Sequence, residues 1–246
     1  MTKFFSDLML EEECIYTLGG SKPMTRVILY QYSEEKIKEY MDSLTKEDIK
    51  KSRLISNYDL PENWEKWKKV ASRFPLKRYM LVEGQWHNKA DVKFLYFVDV
   101  LKTAVTIQEH YREFSSAVGY DFDPMKVVLE MQTAEAPFWK KIETNSLLWG
   151  ILFGFGKENA YAYHWKYSNA DQQVASFFDQ LKGNFSCEMM TGKRKRTLNN
   201  LEIPSFISFT TNDPIVSQYE REREMIRKIY SQQDFLTTTL DLLTKN

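Results

Sequence analysis

An uncharged, strongly apolar segment near the middle of the chain constrains the fold more than any other feature. Residues 145–156 contain no charged side chain, and most of them are large and apolar. A membrane-spanning helix needs about 20 such residues in a row, whereas a shorter run is more often buried in a protein core. The segment therefore predicts a central buried helix, which we expect to begin at Phe138 and around which the rest of the chain packs, and no membrane span.

Two glycines end this segment and bear on the question of cofactors. Gly154 and Gly156 favour a break in the helix, and Lys157 follows them directly. A dinucleotide-binding loop needs a third glycine, and a phosphate-binding P-loop needs G-x-x-x-x-G-K-[ST], so neither spacing is met. We expect the glycine pair to end one helix and let the next begin, and we predict no cofactor.

The composition is that of a chain able to bury a sizeable core. Hydrophobic residues make up 43% of the 246 residues and charged residues 28%, without an internal repeat or a low-complexity tract. Apolar positions recur mostly at helical spacing. The sequence predicts a mainly α fold, with residues 1–246 forming a single globular helical domain that has one or two short β-strand pairs. Residues 1–75 forming a packed N-terminal subdomain is the alternative.

Helix boundaries are marked by capping signals. Asp123-Pro124 and Asp213-Pro214 each combine an N-cap residue with a proline in the first turn. The longest periodic pattern, residues 89–118, predicts one helix ended by Gly119, although its first third is also β-prone. Residues 203–209 alternate enough to predict a short strand.

Two further stretches present an apolar face at helical spacing. They are residues 94–105 and residues 216–230. Because the uncharged segment is the most apolar part of the chain, we expect both faces to pack against it.

The charge balance disfavours a nucleic-acid-binding function. Lys+Arg and Asp+Glu are equal at 34 each, whereas nucleic-acid binders usually carry a basic excess. Lys193-Arg194-Lys195-Arg196 is a local exception that predicts a solvated loop. A nucleic-acid accessory protein using this loop remains an alternative, and salt-sensitive binding would be its signature.

The cysteines and the first residues bear on the compartment. Cys14 and Cys187 are far apart and belong to no C-x-x-C pair, which favours two buried thiols in a reducing compartment and leaves a disulfide open. Asp7 interrupts the first apolar run, so we expect no signal peptide there. The default expectation is a cytoplasmic protein, with export after removal of a leader left open.

Metal ligands are sparse at the spacings that metal sites require. None of His87, His110 and His164 is four residues from another, so no H-E-x-x-H motif exists. Asp121 and Asp123 are close enough to share a cation, but Pro124 ends the loop, and capping by Asp123 explains the pair more simply. We predict no metal site.

The segment just beyond the glycines, residues 158–165, has the mixture of polar and aromatic groups that a site would need. His164 is the candidate catalytic base, with Glu158 and Tyr161 as weaker catalytic candidates. The candidate ligand-binding residues are Trp149, Tyr163 and Trp165.

Three functions remain open at this point. Aromatic residues make up 15% of the chain, so we favour a non-enzymatic binding protein that holds another protein or a small apolar ligand in an aromatic-lined groove. The first alternative is an enzyme, a hydrolase or a transferase, with its site around His164. The second is the nucleic-acid accessory protein, and whether the chain is an enzyme is undecided by the sequence.

Overall fold

The computed structural model describes residues 2–31, 34–43, 45, 59–84, 92–168, 172–181 and 196–245. The α-helices are α1 Thr2–Ser6, α2 Ile15–Gly19, α3 Glu34–Asp42, α4 Leu60–Lys68, α5 Val100–Glu109, α6 Tyr111–Val118, α7 Pro124–Leu129, α8 Pro137–Ile142, α9 Ser146–Leu152, α10 Lys157–Ser168, α11 Gln172–Gln180, α12 Pro214–Tyr230 and α13 Phe235–Lys245. A π-helical turn covers Asp7–Glu11, and short 3₁₀ turns cover Ala71–Arg73 and Glu130–Gln132. The strands are β1 Met24–Tyr30, β2 Tyr79–Glu83 and β3 Val92–Asp99.

The strands form one small antiparallel sheet with β3 in the centre, in the order β1-β3-β2. Val27 of β1 and Glu83 of β2 both lie opposite Leu95. The predicted fold class is confirmed: the fold is mainly α, and its two strand pairs share β3.

The sheet separates two hydrophobic cores, because successive side chains of a strand point to opposite faces. Leu95 and Phe97 of β3 belong to the first core, whereas Phe94, Tyr96 and Val98 belong to the second. The flanking strands keep the same alternation. Their residues in the first core are Val27, Leu29 and Tyr79, and those in the second core are Met24, Met80 and Val82.

Residues from opposite ends of the sequence build the first core. Phe4, Phe5 and Leu8 pack in it together with Tyr219 and Leu243 of α12 and α13. Helix α1 contacts α13, and α2 contacts both α12 and α13. That residues 1–75 form a separate subdomain stays a prediction, although their core is shared with the last two helices.

The second core contains the uncharged segment, as predicted. The indole of Trp149 stacks on the Tyr96 ring with the centroids 5.5 Å apart. Helix α10 approaches α9 closely at Gly150, where a Cβ atom would lie 2.8 Å from that of Ala160. Phe155 packs against both cores, so the end of the segment joins the two layers.

The prediction of one helix over residues 89–118 was wrong. Val92–Asp99 is the central strand, and the helical part is divided into α5 and α6 at His110. A strand buried on both faces lacks the apolar–polar alternation that identifies a half-buried strand, so its sequence resembles a buried helix.

Three smaller predictions also need correction. The helix expected from Phe138 through the uncharged segment is interrupted at Asn145, whose side-chain oxygen accepts a hydrogen bond from the Leu148 amide and begins α9. Residues 203–209 form no strand beyond a bridge at Ile207. The apolar face of residues 216–230 packs mainly in the first core, and its Tyr219 reaches the uncharged segment, where the hydroxyl donates to the Gly154 carbonyl.

The capping predictions were correct. The Asp123 side chain accepts a hydrogen bond from the Lys126 amide at 2.8 Å, and that of Asp213 accepts one from the Ile215 amide at 2.8 Å. Gly119 ends α6 with φ 82°, and Gly154 and Gly156 separate α9 from α10 with φ 73° and 80°. These left-handed conformations favour glycine because it lacks a Cβ atom.

None of the helices that the structure describes is long and apolar enough to cross a membrane.

Candidate functional site

The predicted catalytic base lies between two serines. His164 Nδ1 is 2.9 Å from Ser146 Oγ at the start of α9 and 3.1 Å from Ser168 Oγ one turn further along α10. Within the described ranges, no carboxylate hydrogen-bonds to the imidazole. The arrangement places one hydroxyl and one imidazole in contact, without the third group that would orient a general base.

The other catalytic candidates do not join His164. Glu158 is exposed and lies six residues before it on the same helix, roughly 120° away around the helix axis. Tyr161 contacts the indole of Trp165 instead, with ring centroids 5.4 Å apart. Among the described contacts, therefore, neither Glu158 nor Tyr161 reaches the His164 imidazole.

Trp149 lies in the second core rather than at a surface. Only 5% of it is exposed, its Nε1 donates to the Glu143 carbonyl at 3.0 Å, and its ring packs on Trp139 and Tyr96. Since its polar atom and its ring faces are engaged by the protein, Trp149 contributes to packing.

Trp165, in contrast, begins a line of aromatic rings that reaches solvent across α10 and α11. The centroids of Trp165 and Phe178 are 6.1 Å apart, and those of Phe178 and Phe177 are 5.4 Å apart. Trp165 is 51% exposed, Phe177 55% and Leu181 40%. We call Trp165, Phe177 and Leu181 the aromatic surface.

A small third core supports this surface from beneath. Phe178 is buried against Phe209, with ring centroids 5.8 Å apart, and Ala162 completes the cluster. Tyr163 and Tyr167 form a separate exposed pair, with ring centroids 4.5 Å apart. They lie on the far side of α10 from Trp165, because a separation of two residues is about 200° on a helix.

The sequence analysis missed a buried charged cluster beside the first core. Glu13 Oε1 accepts hydrogen bonds from Arg196 Nη1 at 3.1 Å and Ser205 Oγ at 3.0 Å, and Glu13 Oε2 lies 3.8 Å from Lys22 Nζ. Glu13 has φ 62°, a left-handed conformation that is uncommon for residues other than glycine. We call Glu12, Glu13, Lys22 and Arg196 the charged cluster. The signal in the sequence, three consecutive glutamates after an apolar run, is indistinguishable from that of a solvated surface.

Burial shifts the pKa of groups in and near this cluster. Loss of hydration lowers the pKa of the Lys22 amine, while Glu13 acts in the opposite direction. Burial also raises the pKa of the fully buried Cys14 thiol well above its ordinary value, and the nearby Glu12 carboxylate adds to this effect. A thiol held in its protonated form is a poor nucleophile, so Cys14 is a structural residue.

Arg196 is the one residue of the basic run 193–196 that lies among the described residues, and it departs from the predicted solvated loop. Its side chain is 11% exposed and binds the Glu11 carbonyl and the Glu13 carboxylate, so this residue is not solvated and is unavailable to a phosphate. Residues 193–195 lie outside the described residues.

Neither the acidic pair nor the cavities add a metal site. Asp123 caps α7, and Asp121 accepts a hydrogen bond from the Tyr111 hydroxyl at 3.2 Å. A cavity of about 430 Å³ beside this pair is lined by Arg112, Ser115, Ser116, Gly119, Tyr120 and Asp121, and its two charged residues, Arg112 and Asp121, are exposed. Among the described residues, no group of three or more His, Cys, Asp or Glu side chains is placed to hold a metal ion.

Comparison with known proteins adds no functional assignment. No protein-family profile, curated protein or solved structure matches this chain.

Proposed function

We propose that this chain is a binding protein that recognises another protein through the aromatic surface. The observation that carries the proposal is the exposure of Trp165 and Phe177, each more than half open to solvent on neighbouring helices. Large apolar side chains grouped at a surface mark interaction sites more often than isolated ones do. Tryptophan, tyrosine and phenylalanine are enriched at protein–protein interfaces, where their burial supplies much of the affinity.

The form of the surface favours a protein over a small ligand. Small-molecule sites are concave and bury most of the ligand's area. Trp165, Phe177 and Leu181 instead leave about half of each side chain open on the outer sides of α10 and α11. A partner that lays an apolar face across both helices fits this arrangement.

The charge of the surface favours a protein over a membrane. Helices that bind in the plane of a lipid surface are typically rich in lysine and arginine. On α10, Lys157 pairs with Glu113 and Lys166 is buried, while helix α11 contains no basic residue. It therefore lacks the electrostatic attraction to anionic lipids that accompanies apolar insertion.

The size of the surface indicates a reversible complex. Three side chains that each expose about half of roughly 150–250 Å² offer on the order of 300 Å² of apolar area. Stable interfaces bury about 800 Å² on each partner. The aromatic surface is thus sufficient for the central anchor of an interface, with additional polar contacts around it.

The test compares two double variants that remove exposed aromatic rings. One removes two rings of the aromatic surface, and the other removes the Tyr163–Tyr167 pair on the far side of α10. Proteins cross-linked to the wild type in a native extract are compared with those cross-linked to W165S/F177S and to the control Y163S/Y167S. A partner that depends on the aromatic surface is lost with the first variant and kept with the second. With that partner purified, Trp165→Ala is expected to raise its Kd roughly thirty-fold, the effect of an interface hot spot. Equal binding by both double variants contradicts the proposal.

The contact between Ser146 and His164 favours the alternative that the chain is a hydrolase. Ser146 Oγ lies 2.9 Å from His164 Nδ1, and a hydroxyl in contact with an imidazole is one element of an activated serine nucleophile, although the serine of a catalytic triad contacts Nε2. A hydrolase of this kind would be labelled by a fluorophosphonate at Ser146, and Ser146→Ala would abolish labelling while Ser168→Ala would keep it. The absence of labelling on the folded wild type would end this alternative.

A further inference from the structure

A segment that begins at Arg196 of the charged cluster lies over that cluster. Its second half, residues 201–206, forms neither helix nor strand. The segment is anchored in the first core by the apolar side chains of Leu201, Ile203 and Phe206, and Arg227 of α12 donates hydrogen bonds to its carbonyls at Leu198, Asn199 and Leu201. We call residues 196–206 the strap. Backbone segments without regular hydrogen-bonded structure belong to the part of a protein that opens most easily.

The two ends of the strap are fastened by polar contacts to residues 10–13. At one end, the Arg196 amide donates to Glu11 Oε1 at 2.8 Å, and its guanidinium donates to Glu13 Oε1 at 3.1 Å. At the other end, the Ser205 amide donates to Glu13 Oε2 at 3.2 Å and its hydroxyl to Oε1 at 3.0 Å. Both ends of the strap therefore meet at one carboxylate, that of Glu13.

Between these ends the strap closes over buried groups. Tyr16 donates its hydroxyl hydrogen to the Glu202 carbonyl at 2.9 Å. Phe206 stacks on Phe155 with ring centroids 5.4 Å apart, and the Lys22 amine lies 5.9 Å from the centre of the Phe155 ring. Only 4% of Lys22 is exposed, so reagents in solution are excluded from its amine while the strap is in place.

The backbone beneath the strap has two unusual features at this position. Glu13 has a left-handed conformation, and the π-helical turn Asp7–Glu11 ends two residues before it. Strained backbone of this kind persists only where surrounding contacts hold it, and both features occur often at functional sites. The Glu13 carboxylate is held by Arg196 and Ser205 of the strap as well as by Lys22, so loss of the strap contacts removes much of the support for this conformation.

We propose that the strap is a lid that opens by releasing Leu201, Ile203 and Phe206 from the first core without unfolding the sheet, and that Glu13 is the residue that latches it closed. Opening exposes the amine of Lys22 and the carboxylates of Glu12 and Glu13. The charged cluster is then a gated interior.

The experiment measures hydrogen exchange of strap amides and acetylation of Lys22 by mass spectrometry, with the amides of β3 reporting on global unfolding. Glu13→Gln keeps the size of the side chain and weakens its hydrogen bonds to Arg196 and Ser205. We expect strap exchange and Lys22 acetylation to accelerate about tenfold or more, with β3 unchanged. Glu202→Gln is the matched control: this carboxylate also contacts Arg196, but it is 63% exposed, so its replacement is expected to change exchange less than twofold.

A second variant keeps the test decisive if Glu13→Gln does not fold. Ser205→Ala removes one hydroxyl from the latch and is expected to accelerate strap exchange several-fold, with β3 again unchanged. The proposal fails if strap and β3 amides exchange at one common rate, or if the folded latch variants exchange no faster than Glu202→Gln.

Discussion

At the scale of single residues, Gly154 determines how the two cores are joined. Its backbone has φ 73°, and its carbonyl accepts the hydrogen bond from the Tyr219 hydroxyl at 2.8 Å. A Cβ atom at this position would lie 2.4 Å from that hydroxyl oxygen and 3.2 Å from Pro23 Cδ. Both the conformation and the space therefore require glycine.

Gly119 provides a matched control for this argument. Its φ is 82°, similar to that of Gly154, but no atom lies within 4 Å of an added Cβ. We expect Gly119→Ala to cost about 1 kcal/mol of unfolding free energy, the conformational penalty alone. Gly154→Ala is expected to cost about 2–4 kcal/mol, because the steric clash is added. Urea unfolding of both variants measures the difference, and equal losses would show that the close approach of Tyr219 is unimportant.

Residue chemistry explains which of these positions the sequence could predict. Two glycines directly after an apolar run indicate a break, and Gly154 and Gly156 provide it. Glu13 has a similar backbone conformation, with φ 62°, without any signal in its residue type. Glutamate rarely adopts it, and it is imposed here by contacts with Arg196 and Ser205, more than 180 residues away. Constraints of this kind are visible only in three dimensions.

At the scale of elements, local capping signals were more informative than long periodic patterns. Asp123-Pro124 and Asp213-Pro214 begin α7 and α12 as predicted, because a cap depends on neighbouring residues only. The assignment of β3 to a helix failed because a central strand with helices on both faces is apolar throughout. The predicted candidate site had a similar limit. The helix expected after the glycine pair is α10, but which side of it faces solvent depends on α11.

The cap of α7 gives a prediction that also separates capping from metal binding. Asp123→Ala is expected to cost about 1 kcal/mol of unfolding free energy, because the Lys126 amide loses its acceptor. Asp121→Ala, two residues earlier and exposed, is expected to cost less than about 0.5 kcal/mol. Thermal unfolding with and without Ca²⁺ is the measurement. A calcium-dependent rise in Tm that both substitutions remove would instead support the cation site.

At the scale of the whole molecule, a three-stranded sheet between two helical layers leaves several tyrosine hydroxyls buried. Burial is the main cause that raises the pKa of these phenols, and both cores contribute. The tyrosines are Tyr16, Tyr79, Tyr219 and Tyr230 in the first core and Tyr96 in the second.

This arrangement predicts a loss of stability in alkali. The phenol of an unfolded tyrosine ionises near pH 10.0, whereas the buried phenols stay protonated to higher pH. The stabilisation is therefore fully present below that pH and is lost as the pH rises through the higher pKa of the folded state. Urea unfolding between pH 7 and 11 is expected to show the decline, and Tyr96→Phe is expected to make it shallower. A curve that stays flat above pH 10 would contradict the burial of these hydroxyls.

Two buried amines act in the opposite direction over the same range. Burial lowers the pKa of Lys22 and of Lys102, so the folded state holds fewer protons than the unfolded state just below pH 10.5. Their contribution to stability rises with pH there. We expect the tyrosines to prevail because they are more numerous and continue to act above that pH.

The composition of the first core has a consequence for how the protein is made. Phe4, Phe5 and Leu8 are synthesised more than 200 residues before Tyr219 and Leu243, with which they share the first core. At roughly 5–20 residues per second, this interval lasts on the order of ten seconds or more, during which Phe4 and Phe5 can pack on Trp67 but not on α12 and α13. The second core draws its residues from 24–160 and can assemble earlier. A nascent chain of this protein is therefore expected to depend on chaperones for helix α1, and to become resistant to aggregation only after α13 has emerged.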